Sequence, residues 1–103
     1  MQIVSVPAEA MADPALNLTS IVERHASDTS NPVLYRWQMS PGNWQNIHAH
    51  QFHDMVVSVA KGLIAHGVKP GDRIGIMSRT RFEWALIDFA IWYAGAISVP
   101  IYE

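Results

Sequence analysis

The chain has 103 residues, half of them apolar and 16% charged, enough for one small core and too few for two domains. Seven Lys and Arg against nine Asp and Glu give a formal charge of −2 without a basic stripe, which argues against nucleic acid as a partner. The lack of cysteine removes a disulfide framework, a thiolate metal site and a cysteine nucleophile together.

Residues 1–16 carry no sustained period and are rich in Ala, Pro and small polar groups, so a flexible leader is expected there. The first positive charge is Arg24, and no export signal is read. Folded structure is expected over residues 17–103. Leu18, Ile21, Val22 and Ala26 predict a short amphipathic helix to about Ser27, with Thr19 or Ser20 as cap and Glu23 in the first turn. Asp28 to Pro32 has turn chemistry, and Val33 to Trp37 has the β-branched and aromatic content of a strand. Pro41-Gly42-Asn43 then turns the chain back into Trp44 to Ile47, completing a hairpin.

Phe52, Met55, Val56, Val59, Ala60, Leu63 and Ile64 recur at helical spacing, and Gly67 stands where a left-handed cap residue ends such a helix. Pro70-Gly71 suits a tight turn. Asp72 to Met77 reads as a strand, Arg81 to Ala94 as a helix apolar nearly all round, and Ile97 to Ile101 as a second buried strand. Strand, helix and strand make a βαβ unit, for which a right-handed crossover and parallel pairing are expected. Asp88, Gly95 and Pro100 interrupt the apolar run from Trp84 to Ile101, so it reads as helix and strand rather than a membrane span. A helix this apolar needs more cover than 103 residues provide, and the fold is expected to be incomplete, with the helix exposed.

His48, His50 and His53 form H-x-H-x-x-H, yet only His50 and His53 share a helical face and Asp54 points elsewhere, so no metal site is expected. Gly62, Gly67, Gly71 and Gly75 are too dispersed for a phosphate loop and read as cap, turn and packing positions. Asp88 lies on a stripe with Arg81, Trp84, Trp92 and Gly95, and is read as an edge residue meeting solvent or accepting a hydrogen bond. Ser78-Arg79-Thr80-Arg81 occupies the strand-to-helix edge where α/β proteins collect ligands. Arg79 and Arg81 are the substrate-edge candidates, although Thr80 with Glu83 also fits a capping box.

The stretch G-V-K-P-G-D-R-I-G-I from Gly67 resembles the helix-turn-strand common to acyl-CoA synthetases, luciferases and adenylation domains. Downstream, Arg81-x-Glu83-Trp84 and the closing A-G-A-x-x-V-P-I-Y-E resemble the long-chain fatty acid–CoA ligases of actinobacterial type within the AMP-binding, adenylate-forming superfamily. Trp44 to Phe52 follows a third family segment but has His48, Ala49 and Gln51 where the family has Thr, Tyr and Glu. The resemblance implies the N-terminal part of the large α/β adenylate-forming domain. It assigns Gly67, Gly71, Asp72, Arg81, Glu83, Trp84, Asp88, Gly95 and Pro100 to a structural signature.

It also implies a parent enzyme that joins fatty acid to ATP as an acyl-adenylate, assisted by magnesium, and passes the acyl group to CoA. The catalytic, cofactor and metal residues of that reaction are expected outside this stretch, leaving the chain inactive alone, with no bound cofactor, and with the remainder of the ligase as its partner. A cytoplasmic protein is expected. The competing reading is a stand-alone α/β module that self-associates through the exposed apolar helix; a weaker one rests its Trp-rich surface on a membrane, for which the basic face is missing.

Overall fold

The computed structural model describes residues 2–102; Met1 of the expected leader and Glu103 of the closing P-I-Y-E lie outside the described residues. Residues 2–16 contain no helix or strand and are exposed. The first helix, α1 (Leu18–Ala26), is capped by Asn17, not by Thr19 or Ser20. The Asn17 carboxamide accepts from the Thr19 and Ser20 amides, and Ser20 Oγ accepts the Asn17 amide at 3.1 Å, a capping box shifted to the earlier residue. The shift moves Glu23 out of the first turn.

Strands β1 (Val33–Ser40) and β2 (Asn43–His48) form an antiparallel hairpin longer than the sequence predicts. Its loop is only Pro41-Gly42, with Gly42 at φ +77°, the combination a type II turn requires. A register shift between Gln38 and Ser40 restores the twist that such a turn would lose.

Helix α2 (Ala49–Ala65) begins without a side-chain bond from its own cap residue, His48. Asn31, in the left-handed region at φ +49°, replaces it: its carboxamide accepts the His50 amide at 3.0 Å, while the Pro32 carbonyl accepts the Ala49 amide. At the other end Gly67, at φ +101°, donates to the Ile64 carbonyl and Val68 to the Leu63 carbonyl, the paired bonds of a Schellman cap.

Strand β3 (Arg73–Ile76), helix α3 (Phe82–Tyr93) and strand β4 (Ile97–Pro100) follow, and β3 pairs with β4 in parallel from Arg73↔Ile97 to Ile76↔Pro100. Arg81 is the cap residue of α3 and Thr80 makes no capping bond, so the expected Thr80–Glu83 box is absent. Nor is α3 exposed. It contacts α1, α2, β3 and β4, and no residue from Phe82 to Ala94 is more than half open to solvent. Exposed apolar side chains lie elsewhere, among them Met77, Ile97, Ile101 and Tyr102 on the parallel pair and its ends and Met39 and Trp44 on the hairpin.

The main core joins Val22, Ile47, Phe52, Val56, Leu86 and Ala90. Tyr35 from the hairpin packs on Phe52 at 4.9 Å and on Phe82 at 5.6 Å between ring centroids, and Phe89 meets Phe52 edge-on. A smaller cluster of Ile76, Ile91 and Ala96 seals α3 against the parallel pair. Among the described residues, no helix is long and apolar enough to cross a membrane.

Candidate functional site

The two signature segments meet in one joint. Gly71, at φ +85°, and Pro70 form a turn closed by the Asp72 amide donating to the Lys69 carbonyl. The Asp72 carboxylate reaches back to accept the Lys69 amide at 2.8 Å, locking that turn from its side-chain end. Gly95, at φ +76°, ends α3 with the same Schellman pattern as Gly67, donating to Trp92 while Ala96 donates to Ile91. The turn and the cap then bond to each other: the Gly71 amide donates to the Gly95 carbonyl and the Ile97 amide to the Asp72 carbonyl, which starts the parallel ladder. A Cβ at Gly95 would stand 3.5 Å from Pro70. Gly67, Gly71 and Gly95 thus hold the left-handed backbone of these caps and turns, and the Asp72 carboxylate is bonded within its own turn.

Pro100 closes the ladder. Ile97 and Ile101 on either side of it donate to Asp72 and Ile76, so the missing amide of Pro100 falls on the side away from β3 and costs no bond in this pair.

The loop from Ser78 to Arg81 sits at the carboxyl end of β3, the expected ligand edge. Arg81 and Glu83 are brought together as a fork, with Nε donating to Oε2 at 2.8 Å and the second guanidinium nitrogen to Oε1 at 2.9 Å. Hydrogen bonding and charge from Glu83 raise the Arg81 pKa, and the same bonds hold the Glu83 carboxyl below its ordinary value. Arg79 is exposed and forms no ion pair among the described residues. Arg81 and Trp84 divide a cleft of about 430 Å³, bounded by Tyr35, Arg36, Thr80, Phe82 and Ala85, from one of about 300 Å³ bounded by Ile76, Ser78, Glu83 and Ile87. Asp88 departs from expectation: it is buried and its Oδ1 has no hydrogen-bond partner.

The histidines go to separate tasks. His66 Nδ1 meets the Gly62 carbonyl at 2.9 Å at the end of α2. His53 Nε2 stands 2.9 Å from Glu23 Oε1, and Tyr93 donates to the same oxygen at 2.6 Å, tying α1, α2 and α3 together. The Tyr93 bond holds the Glu23 carboxyl below its ordinary value, while burial and then Glu23 itself push the Tyr93 hydroxyl up. Sequence reasoning missed this junction because its three members are 30 and 40 residues apart in pairs and share no motif. Its only signal is a tyrosine hydroxyl at the end of an apolar helix, which needs a partner when packed. Among the described residues no group of three or more His, Asp or Glu could hold a metal ion. A groove of about 610 Å³ across the start of α2 includes Asn31 and His50, whose carboxamide and amide are already bonded to each other.

The model of the AMP-binding enzyme family matches residues 22–103. A long-chain-fatty-acid–CoA ligase of Mycobacterium bovis, FadD15, is 39% identical over all 103 residues, and its Mycobacterium tuberculosis counterpart 38%; the chain spans 17% of each. Among solved structures, a fatty acyl-adenylate ligase from L. pneumophila, crystallised with acyl adenylate and pyrophosphate, superposes with a TM-score of 0.74 at 26% identity, over 82% of this chain and 15% of that one.

Proposed function

Since the chain belongs to the AMP-binding enzyme family, we propose that it is a scaffold portion of an ATP-dependent long-chain fatty acid–CoA ligase. The observation that carries this reading is the match to the mycobacterial ligases, which runs the whole length of the chain. The parent reaction forms an acyl-adenylate and pyrophosphate from fatty acid and ATP, then an acyl-CoA and AMP on attack by the CoA thiol. Its partners are fatty acid, CoA and the remaining ligase chain.

The described residues of this portion do not fit a magnesium or nucleotide site. Its carboxylates are dispersed or engaged, and its glycines shape caps and turns instead of a phosphate cradle. No chemical step is assigned to them. Their role is to hold the β3–α3 edge in place, with the signature residues Gly67, Gly71, Asp72, Gly95 and Pro100 fixing the joint and Arg81, Glu83 and Trp84 shaping the clefts. Arg79 is the cation of this edge without an ion pair among the described residues, so it is the better placed of the two arginines to meet an anionic substrate group. Residues 2–16 are a flexible leader outside the folded unit that begins at residue 17, and the parent works in the cytoplasm.

The test is ATP–pyrophosphate exchange with palmitate. Exchange by the full-length protein, and none by residues 1–103 alone, is the expected result. Exchange by the 103-residue chain would place the chemistry here and sink the scaffold assignment.

A further inference from the structure

Asp88 is 9% exposed, the buried charged side chain of the described residues, and its Oδ1 has lost water without gaining a donor. Native folds rarely leave such an atom alone. It belongs to neither apolar cluster: Leu86 and Ala90 join the core with α2, and Ile91 joins the sheet, while Asp88 lies between those faces and the outside. Trp84 and Trp92 stand one helical turn to either side of it on α3, both half-buried. The ion pairs of the described residues do not include it, and Arg81, one cation of its own stripe, is committed to Glu83.

We infer that Asp88 is a docking point for an N–H donor carried by a segment of the full-length protein outside residues 1–103. The inference rests on the reading of this chain as part of a longer ligase, which its 17% span of the mycobacterial relatives supports. A carboxylate takes a charge-assisted bond most strongly, and an arginine offers such a donor with a planar face able to stack on an indole one helical turn away. The segment is therefore apolar with an arginine, packed across Trp84 and Trp92.

A crystal structure of the full-length protein and thermal unfolding of Asp88→Leu and Asp88→Asn in it test this. The expected structure has a nitrogen from outside residues 1–103 within about 3.2 Å of Oδ1. The expected Tm falls by roughly 5 °C or more in Asp88→Leu, which strands the donor, and by less in Asp88→Asn, which keeps an acceptor. An Oδ1 bonded only to water, to residues 1–103 or to a second copy overturns the inference, as does Asp88→Leu melting at or above the parent. Where Asp88→Leu yields no soluble protein, Asp88→Asn and the structure decide. Pyrophosphate exchange separates the two readings: an active enzyme with a solitary Asp88 sinks this inference alone, whereas an inactive protein with a bonded Asp88 sinks the ligase assignment alone.

Discussion

Asn31 does the work of a helix cap from 19 positions away, and it does so at φ +49°, where asparagine is tolerated and alanine is not. Asn31→Ala should lose both the bond to the His50 amide and the backbone preference, destabilising the chain by about 2–3 kcal/mol. Asn31→Gly keeps the conformation and should cost roughly half as much; equal losses in urea titrations of the two variants would show that the left-handed backbone contributes nothing. Glu23 gives a second residue-scale expectation. Its pKa in the fold lies below the ordinary value of 4.5, chiefly through the Tyr93 hydroxyl, so the fold favours the ionised form. That stabilisation is complete above the ordinary carboxylate range and is lost as the pH falls through the folded value. Melting should therefore drop on acidification below 4.5, shallowly because Glu23 is largely exposed, and Tyr93→Phe should flatten the slope. An unchanged slope in Tyr93→Phe would mean that the hydroxyl does not set this titration.

At the scale of elements, the glycines of α2 make opposed predictions. Gly62 lies inside the helix with nothing within 4 Å of an added Cβ, so Gly62→Ala should stabilise by about 0.5–1 kcal/mol. Gly67 has the same open space but sits at φ +101°, and Gly67→Ala should destabilise by about 1–2 kcal/mol. Same-sign shifts for the pair in thermal melts would contradict the cap assignment. The elements themselves are legible: periodicity marks α2, an apolar run of helical length marks α3, and Gly67 marks the end of α2, because those signals are local. The caps were read one to three residues off, since Asn17 outcompetes Thr19 and Ser20 by offering its carboxamide to both their amides at once. Asn31 was invisible as a cap because its partner is set by the hairpin between them. In the site, Gly71 and Asp72 announce a turn, but nothing local says that the turn binds the cap at Gly95. The solitude of Asp88 depends on what packs around α3, which a stripe on one helix cannot report.

At the scale of the whole molecule, apolar side chains stay open to solvent on the parallel pair as well as in residues 2–16, in α1 and in the hairpin. Parallel sheets occur with both faces covered, yet this one has two strands and leaves Ile97 48% and Ile101 50% exposed. A core centred on Phe52 and the helices can persist without that cover, since Phe52 is 1% exposed within residues the chain itself supplies. Phe52→Ala should thus cost about 3–5 kcal/mol whether the chain is alone or in the full-length protein. Ile97→Lys and Ile101→Lys should behave differently in the two settings. In the 103-residue chain they add charge to an open patch and should reduce aggregation in light scattering without a loss of helical circular dichroism. If the chain is part of a longer ligase, as proposed, and further strands cover this sheet, the same lysines are buried there and soluble yield of the longer protein should collapse because an unpaired buried ammonium cannot be accommodated. Equal tolerance in both settings would mean that this sheet stays open in the longer protein too.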